Sequence, residues 1–151
     1  MELTATQSAK AQLKSDLATV DLNMEVYKLW LSALGALFIL VLTGALNYHD
    51  VLSRQDGWVR HLLASSIFAI PFALMAVGVA WTVQLTIYEH ERKVLDLADA
   101  MNDEQFEMLF RRHERAIDSR ERWGMFAVLA GGALSFFALI AITVSACATL
   151  A

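Results

Sequence analysis

Two triplets of chemically capable side chains repeat in the sequence: His90-Glu91-Arg92 and His113-Glu114-Arg115. Imidazole and carboxylate groups ligate zinc and other divalent transition metals. His90, Glu91, His113 and Glu114 are therefore the candidate donor set for a metal, provided that the chain folds back to bring them together. With a turn centred near Asn102, residue 90 falls opposite about residue 114, so the triplets meet across an antiparallel helix pair. The same residues have a plainer use. Glu89 and Glu91 set against Arg111 and Arg115 make an interhelical salt-bridge ladder, the commoner role of mixed charge on paired helices.

The remaining chemistry is sparse. His49 and His61 form a second pair, but no other good ligand for haem or copper lies near them. Cys147 is the only cysteine, so it makes no internal disulfide. No charge lies near it to lower its pKa, and it reads as a small apolar residue rather than a nucleophile. There is no Gly-rich phosphate loop, no Ser/His/Asp arrangement and no paired-cysteine motif. The expectation is a non-enzymatic protein with no cofactor. A net charge of −4 gives no basic face for nucleic acid.

The elements that must position these groups are set by composition. Apolar residues make up 57% of the chain and charged residues 19%, against about 45–50% and about 25% in ordinary globular proteins. The excess lies in three uncharged blocks: 29–47, 62–88 and 123–150. A membrane-spanning helix needs roughly 20 such residues. Backbone groups in hydrocarbon must be paired internally, which leaves helices as the economical solution. Tyr27, Trp30 and Tyr48 bracket the first block, Trp58, Trp81 and Tyr88 attend the second, and Trp123 opens the third. Their amphipathic rings suit the headgroup zone and make them candidate interface anchors. Pro71 lies inside the second block and predicts a kink, because proline removes a backbone donor.

The polar segments read as helical too. Leu13, Leu17, Val20 and Met24 recur on one helix face, with Lys10, Lys14, Asp16 and Asp21 off that stripe. The pattern predicts an amphipathic helix over 1–26, lying on the membrane surface or extending directly into the first span. No cleavable signal peptide is evident. Asp56-Gly57 marks a turn in the link between the first two spans. Residues 89–122 hold seven Arg/Lys and ten Asp/Glu without Gly or Pro. They predict a helical hairpin between spans two and three, with Asn102 or Asp103 as N-cap of its second arm. The expected fold is a single all-α integral membrane domain over 1–151: an N-terminal amphipathic helix, three transmembrane helices and a charged cytoplasmic hairpin.

Three spans place the N-terminus and 89–122 on one side, with ten Arg/Lys against two on the other. Basic residues are retained in the cytoplasm, so the expectation is a bacterial inner membrane, N-terminus inside and C-terminus outside. None of the spans contains an Asp, Glu, Lys, Arg or His side chain, which argues against proton-coupled transport, voltage sensing or retinal binding.

Small residues are the stronger signal within the spans. Gly35, Ala36 and Gly44 lie in the first, Ala76, Gly78 and Ala80 in the second, and Ala127, Gly131 and Gly132 in the third. In lipid such residues allow close helix approach. The expected partners are the bilayer, further copies or other membrane subunits along these faces, and a cytoplasmic partner for 89–122. The functional expectation is an accessory or self-assembling membrane subunit. The alternatives are a homo-oligomeric pore lined by Ser, Thr and Gln, and an enzyme or metal site at the Glu/His/Arg cluster. The layout of a surface helix, three spans and a charged intervening stretch resembles that of the small trimeric diacylglycerol kinases. Their Glu-x-x-Asn-[Ser/Thr]-Ala motif is not matched by Gln84-Leu85-Thr86-Ile87-Tyr88-Glu89. The resemblance covers topology alone and carries no activity to this chain.

Overall fold

The computed structural model describes residues 5–47, 57–98 and 101–150. They form three helices: α1, Ala5–Asn47; α2, Gly57–Ala98; and α3, Asp103–Leu150. Each is long and apolar enough to cross a membrane, with mean hydropathy of 2.2, 2.2 and 2.3 over its most apolar stretch. Tyr48, His49 and the link up to Asp56 lie outside the described residues, as do Asp99 and Ala100.

α1 is one helix of 43 residues, unbroken where the polar N-terminal segment meets the first apolar block. Over the described part of the N-terminal segment, residues 5–26, α1 runs directly into the first apolar block. The reason is visible in the apolar stripe. Leu13, Val20 and Met24 are buried, Leu13 against Val94, Ala98 and Phe106, and Val20 against Ile87 and Ile117. The stripe is covered by α2 and α3 and is not available to lie on lipid. α2 continues through Pro71 without ending. The start of α3 is set by Asn102, whose Oδ1 accepts the Gln105 N–H at 3.0 Å. Its carbonyl accepts the Phe106 N–H, also at 3.0 Å. These bonds satisfy donors that a helix start otherwise leaves open, and they select Asn102 as the cap.

The chain divides into two compact units. The polar unit combines Met1–Lys28 with Val79–Phe126. Its two apolar cores, around Leu13 and Phe106 and around Val20, Ile87 and Ile117, are small. Gly124 permits close approach here, since a Cβ would stand 3.2 Å from Val83 Cγ1. Its ion pairs include Arg111 with Glu107 and Arg122 with Asp118, each within one helix turn.

The apolar unit combines Leu29–Gly78 with Ala127–Ala151. Its core is Val41, Ala69, Ile70 and Ala138, with Leu37, Phe38 and Leu134 packed round it. Gly131 is buried where a Cβ would stand 2.9 Å from Val77 Cγ2 and 3.5 Å from the Val77 backbone nitrogen. The outer surface is the reverse of a water-soluble protein's. Ile39, Leu40, Phe68, Phe72, Phe136 and Leu139 are all exposed. Large apolar side chains exposed in this number fit a hydrocarbon solvent.

Candidate functional site

The polar unit brings the two triplets together. The rings of His90 and His113 stack with centroids 5.0 Å apart and planes 28° apart. This follows from the α2–α3 register, in which Val94 and Ala98 pack with Phe106. Phe110 flanks His113 at 6.4 Å. The four candidate ligands nevertheless differ in placement. Glu91 and His113 are buried, His90 is half-buried and Glu114 is exposed. Among the described residues, no group of three or more His, Cys, Asp or Glu side chains is arranged to hold a metal ion.

The interhelical ladder does not form as expected. Arg111 turns to Glu107 of its own helix, 2.6 Å away, and Glu91 Oε2 has no hydrogen-bond partner. The physical reason is position. Glu91 points inward, 5% exposed, while Arg111 and Arg115 are on exposed surface of α3. An exposed arginine gains more from a neighbour on its own helix than from reaching into the interior.

Glu91 and His113 line a cavity of about 340 Å³. α1 contributes Asp16, Thr19 and Asn23, α2 contributes Gln84, and α3 contributes Glu114 and Glu121. Burial raises the Glu91 pKa to about 7, helped by the carboxylates of Asp16 and Glu121. Burial also lowers that of His113 to about 4, helped by its neighbour His90. Both side chains are thus pushed toward their neutral forms, as buried ionisable groups are when no counter-charge meets them. Gln84 Oε1 and His113 Nδ1 are buried without hydrogen-bond partners, like Glu91 Oε2. Unpaired polar atoms at such density are uncommon in native interiors.

Sequence reasoning found His90, Glu91, His113 and Glu114 but missed the role of α1. Asp16 read as a solvated residue off the stripe, yet it faces the cavity. Its spacing of three from Leu13 was the available signal, since residues three apart share a helix face.

The small residues of the apolar segments divide. Ala80 and Gly131 are buried. Ala76 lies 3.5 Å from where a Gly131 Cβ would be, and Trp30 lies 3.7 Å from the equivalent point at Gly132. Ala127 is half-buried and Ala36 exposed. At Gly35, Gly44 and Gly78 an added Cβ would meet nothing within 4 Å. Of the aromatic anchors, Trp58 and Trp123 are exposed, and Tyr27, Trp30 and Tyr88 are half-buried. The Nε1 of Trp81 is buried without a hydrogen-bond partner among the described residues. Of the outer histidine pair, His61 is exposed. Cys147 is exposed and free.

The fold and the site define a class: an all-helical chain with three long apolar helices able to span a membrane, carrying a polar unit with a buried Glu–His cavity. No protein family, curated protein or solved structure matches the chain.

Proposed function

We propose that the protein is a non-enzymatic membrane subunit that works by lateral helix packing, with copies of itself or within a larger membrane complex. The carrying observation is the exposure of α1. Only 11% of its most apolar stretch is buried, against 28% for α2 and 22% for α3. That stretch holds Gly35 and Gly44, where another backbone has room to approach. In this reading the basic count places the N-terminus and 89–122 in a bacterial cytoplasm, where the paired α2 and α3 ends form a charged docking hairpin, and the C-terminus outside.

Ser65, Ser135, Thr143 and Ser145 donate to carbonyls one turn earlier on their own helices, so these hydroxyl protons are satisfied within each helix, as packing in lipid requires. Native mass measurement in mild detergent tests assembly, followed by cross-linking of single cysteines in a Cys147→Ser background. Cysteine at Ala36 is expected to cross-link between chains, and cysteine at the buried Ala80 is not. A chain that stays monomeric in bilayers and recovers no membrane partner from its native host ends this reading.

A further inference from the structure

The cavity of the polar unit has a chemical bias that lateral packing does not use. Five carboxylates line it, from Asp16, Glu91, Glu114, Asp118 and Glu121, and no Lys or Arg does. Asp118 is paired with Arg122 on the outside; no such counter-ion serves Glu91, whose Oε2 is unpartnered. Two inner side chains, Glu91 and His113, are 5% and 4% exposed and leave Glu91 Oε2 and His113 Nδ1 without partners. Gln84 adds a third unpartnered atom, its carbonyl Oε1, which can only accept. The site therefore offers negative charge and open acceptors, with Phe110 supplying an aromatic wall.

Water could fill the acceptors but supplies no positive charge against Asp16 and Glu121, whose carboxylates help to hold Glu91 protonated. A bare metal ion fits poorly, because ligand bonds of about 2.0–2.6 Å need donors that converge, and no such group is present among the described residues. An organic cation spans a wider cavity, donates several N–H bonds to carboxylate and amide oxygens, and stacks favourably on an aromatic face.

We propose that this cavity binds a small organic cation bearing N–H donors, an alkylammonium or guanidinium group, held by Glu91, Gln84 and His113 with Asp16 and Glu121 supplying charge. The site stands on the polar unit alone and is independent of the assembly reading. His90, stacked behind His113, holds that ring in place. Because the free Glu91 carboxyl is protonated through much of the neutral range, binding displaces its proton. Affinity then rises with pH through that range, and the binding heat varies with the buffer's ionisation enthalpy.

Titration calorimetry on the full chain in detergent, with methylguanidinium as probe, tests this. Saturable binding is expected, with proton release. Tetramethylammonium, which has charge but no N–H, is expected to bind at least about tenfold more weakly. Glu91→Gln is expected to lower affinity by about tenfold or more and abolish proton release, while Glu104→Gln, outside the cavity, changes neither. Glu121→Gln, at an exposed rim position, is expected to weaken binding less and keeps the test valid if Glu91→Gln does not fold. The proposal is overturned by no saturable methylguanidinium binding, by equal affinity for tetramethylammonium, or by binding of magnesium in its place. Unchanged affinity in the folded Glu91→Gln or Glu121→Gln variant overturns it equally.

Discussion

Glu91 and His113 make an unusual prediction about stability and pH. Glu91 titrates near 7 when folded against a reference of 4.5, and His113 near 4 against 6.5. Each gap is about 2.5 pH units, worth roughly 3 kcal/mol at about 1.4 kcal/mol per unit. The signs oppose. A raised carboxyl gives the folded state an extra proton, so its contribution is full below about pH 4.5 and is lost as pH rises to about 7. A lowered imidazole leaves the unfolded state with the extra proton, so its contribution is full above about pH 6.5 and is lost as pH falls to about 4. Between about pH 4.5 and 6.5 the two slopes cancel, and the pair contributes nothing to the pH dependence of the native protein. Single substitutions remove the cancellation. Glu91→Gln is expected to gain about 3 kcal/mol of stability from about pH 4 to 6.5, and to exceed the native protein by a similar amount near pH 8. His113→Gln is expected to lose about 3 kcal/mol from about pH 4.5 to 7. Reversible unfolding in detergent, followed by tryptophan fluorescence across this range, measures all three profiles. Parallel profiles for the native protein and both variants would refute the reasoning, since they would mean that neither side chain titrates abnormally.

Further outcomes follow from packing and capping. Gly131→Ala sets a methyl 2.9 Å from Val77 Cγ2, and an overpacking cost of about 1–3 kcal/mol is expected; Gly35→Ala, with open space around it, is expected to cost less than about 0.5 kcal/mol. The same unfolding assay compares them, and equal effects would contradict the helix contact at Gly131. Phe106→Ala empties a fully buried position in the polar core and is expected to cost about 3–5 kcal/mol, with faster amide exchange along α1 from Leu13. Asn102→Ala removes the cap on Gln105, for an expected loss of about 1 kcal/mol and faster exchange of the Gln105 amide.

The helices were legible because hydrocarbon imposes a simple rule. Nineteen uncharged residues from Leu29 to Asn47 leave little choice of structure. The meeting of His90 with His113 was legible as well, since a turn near Asn102 fixes an antiparallel register. The contents of that meeting were not. Whether Glu91 faces Arg111 or the interior depends on helix rotation, which alternating charge does not specify, whereas the burial of Val94 and Ala98 beside it does. Asp16 joined the cavity because α1 packs its Leu13 stripe inward. An amphipathic pattern reads the same whether protein or lipid covers its apolar face. The small residues were ambiguous for a similar reason. Gly131 serves a contact within the chain and Gly35 serves none there, although the two look alike in sequence.

The account rests on the three apolar segments lying in hydrocarbon. Spin labels at exposed positions in a Cys147→Ser background, in reconstituted bilayers, test this most directly. Labels at Leu40, Phe72 and Ile140 are predicted to collide with molecular oxygen and to be shielded from a water-soluble nickel chelate, while labels at Glu104 and Arg112 show the opposite preference. Ready access of the nickel chelate to Leu40, Phe72 and Ile140 would contradict the account.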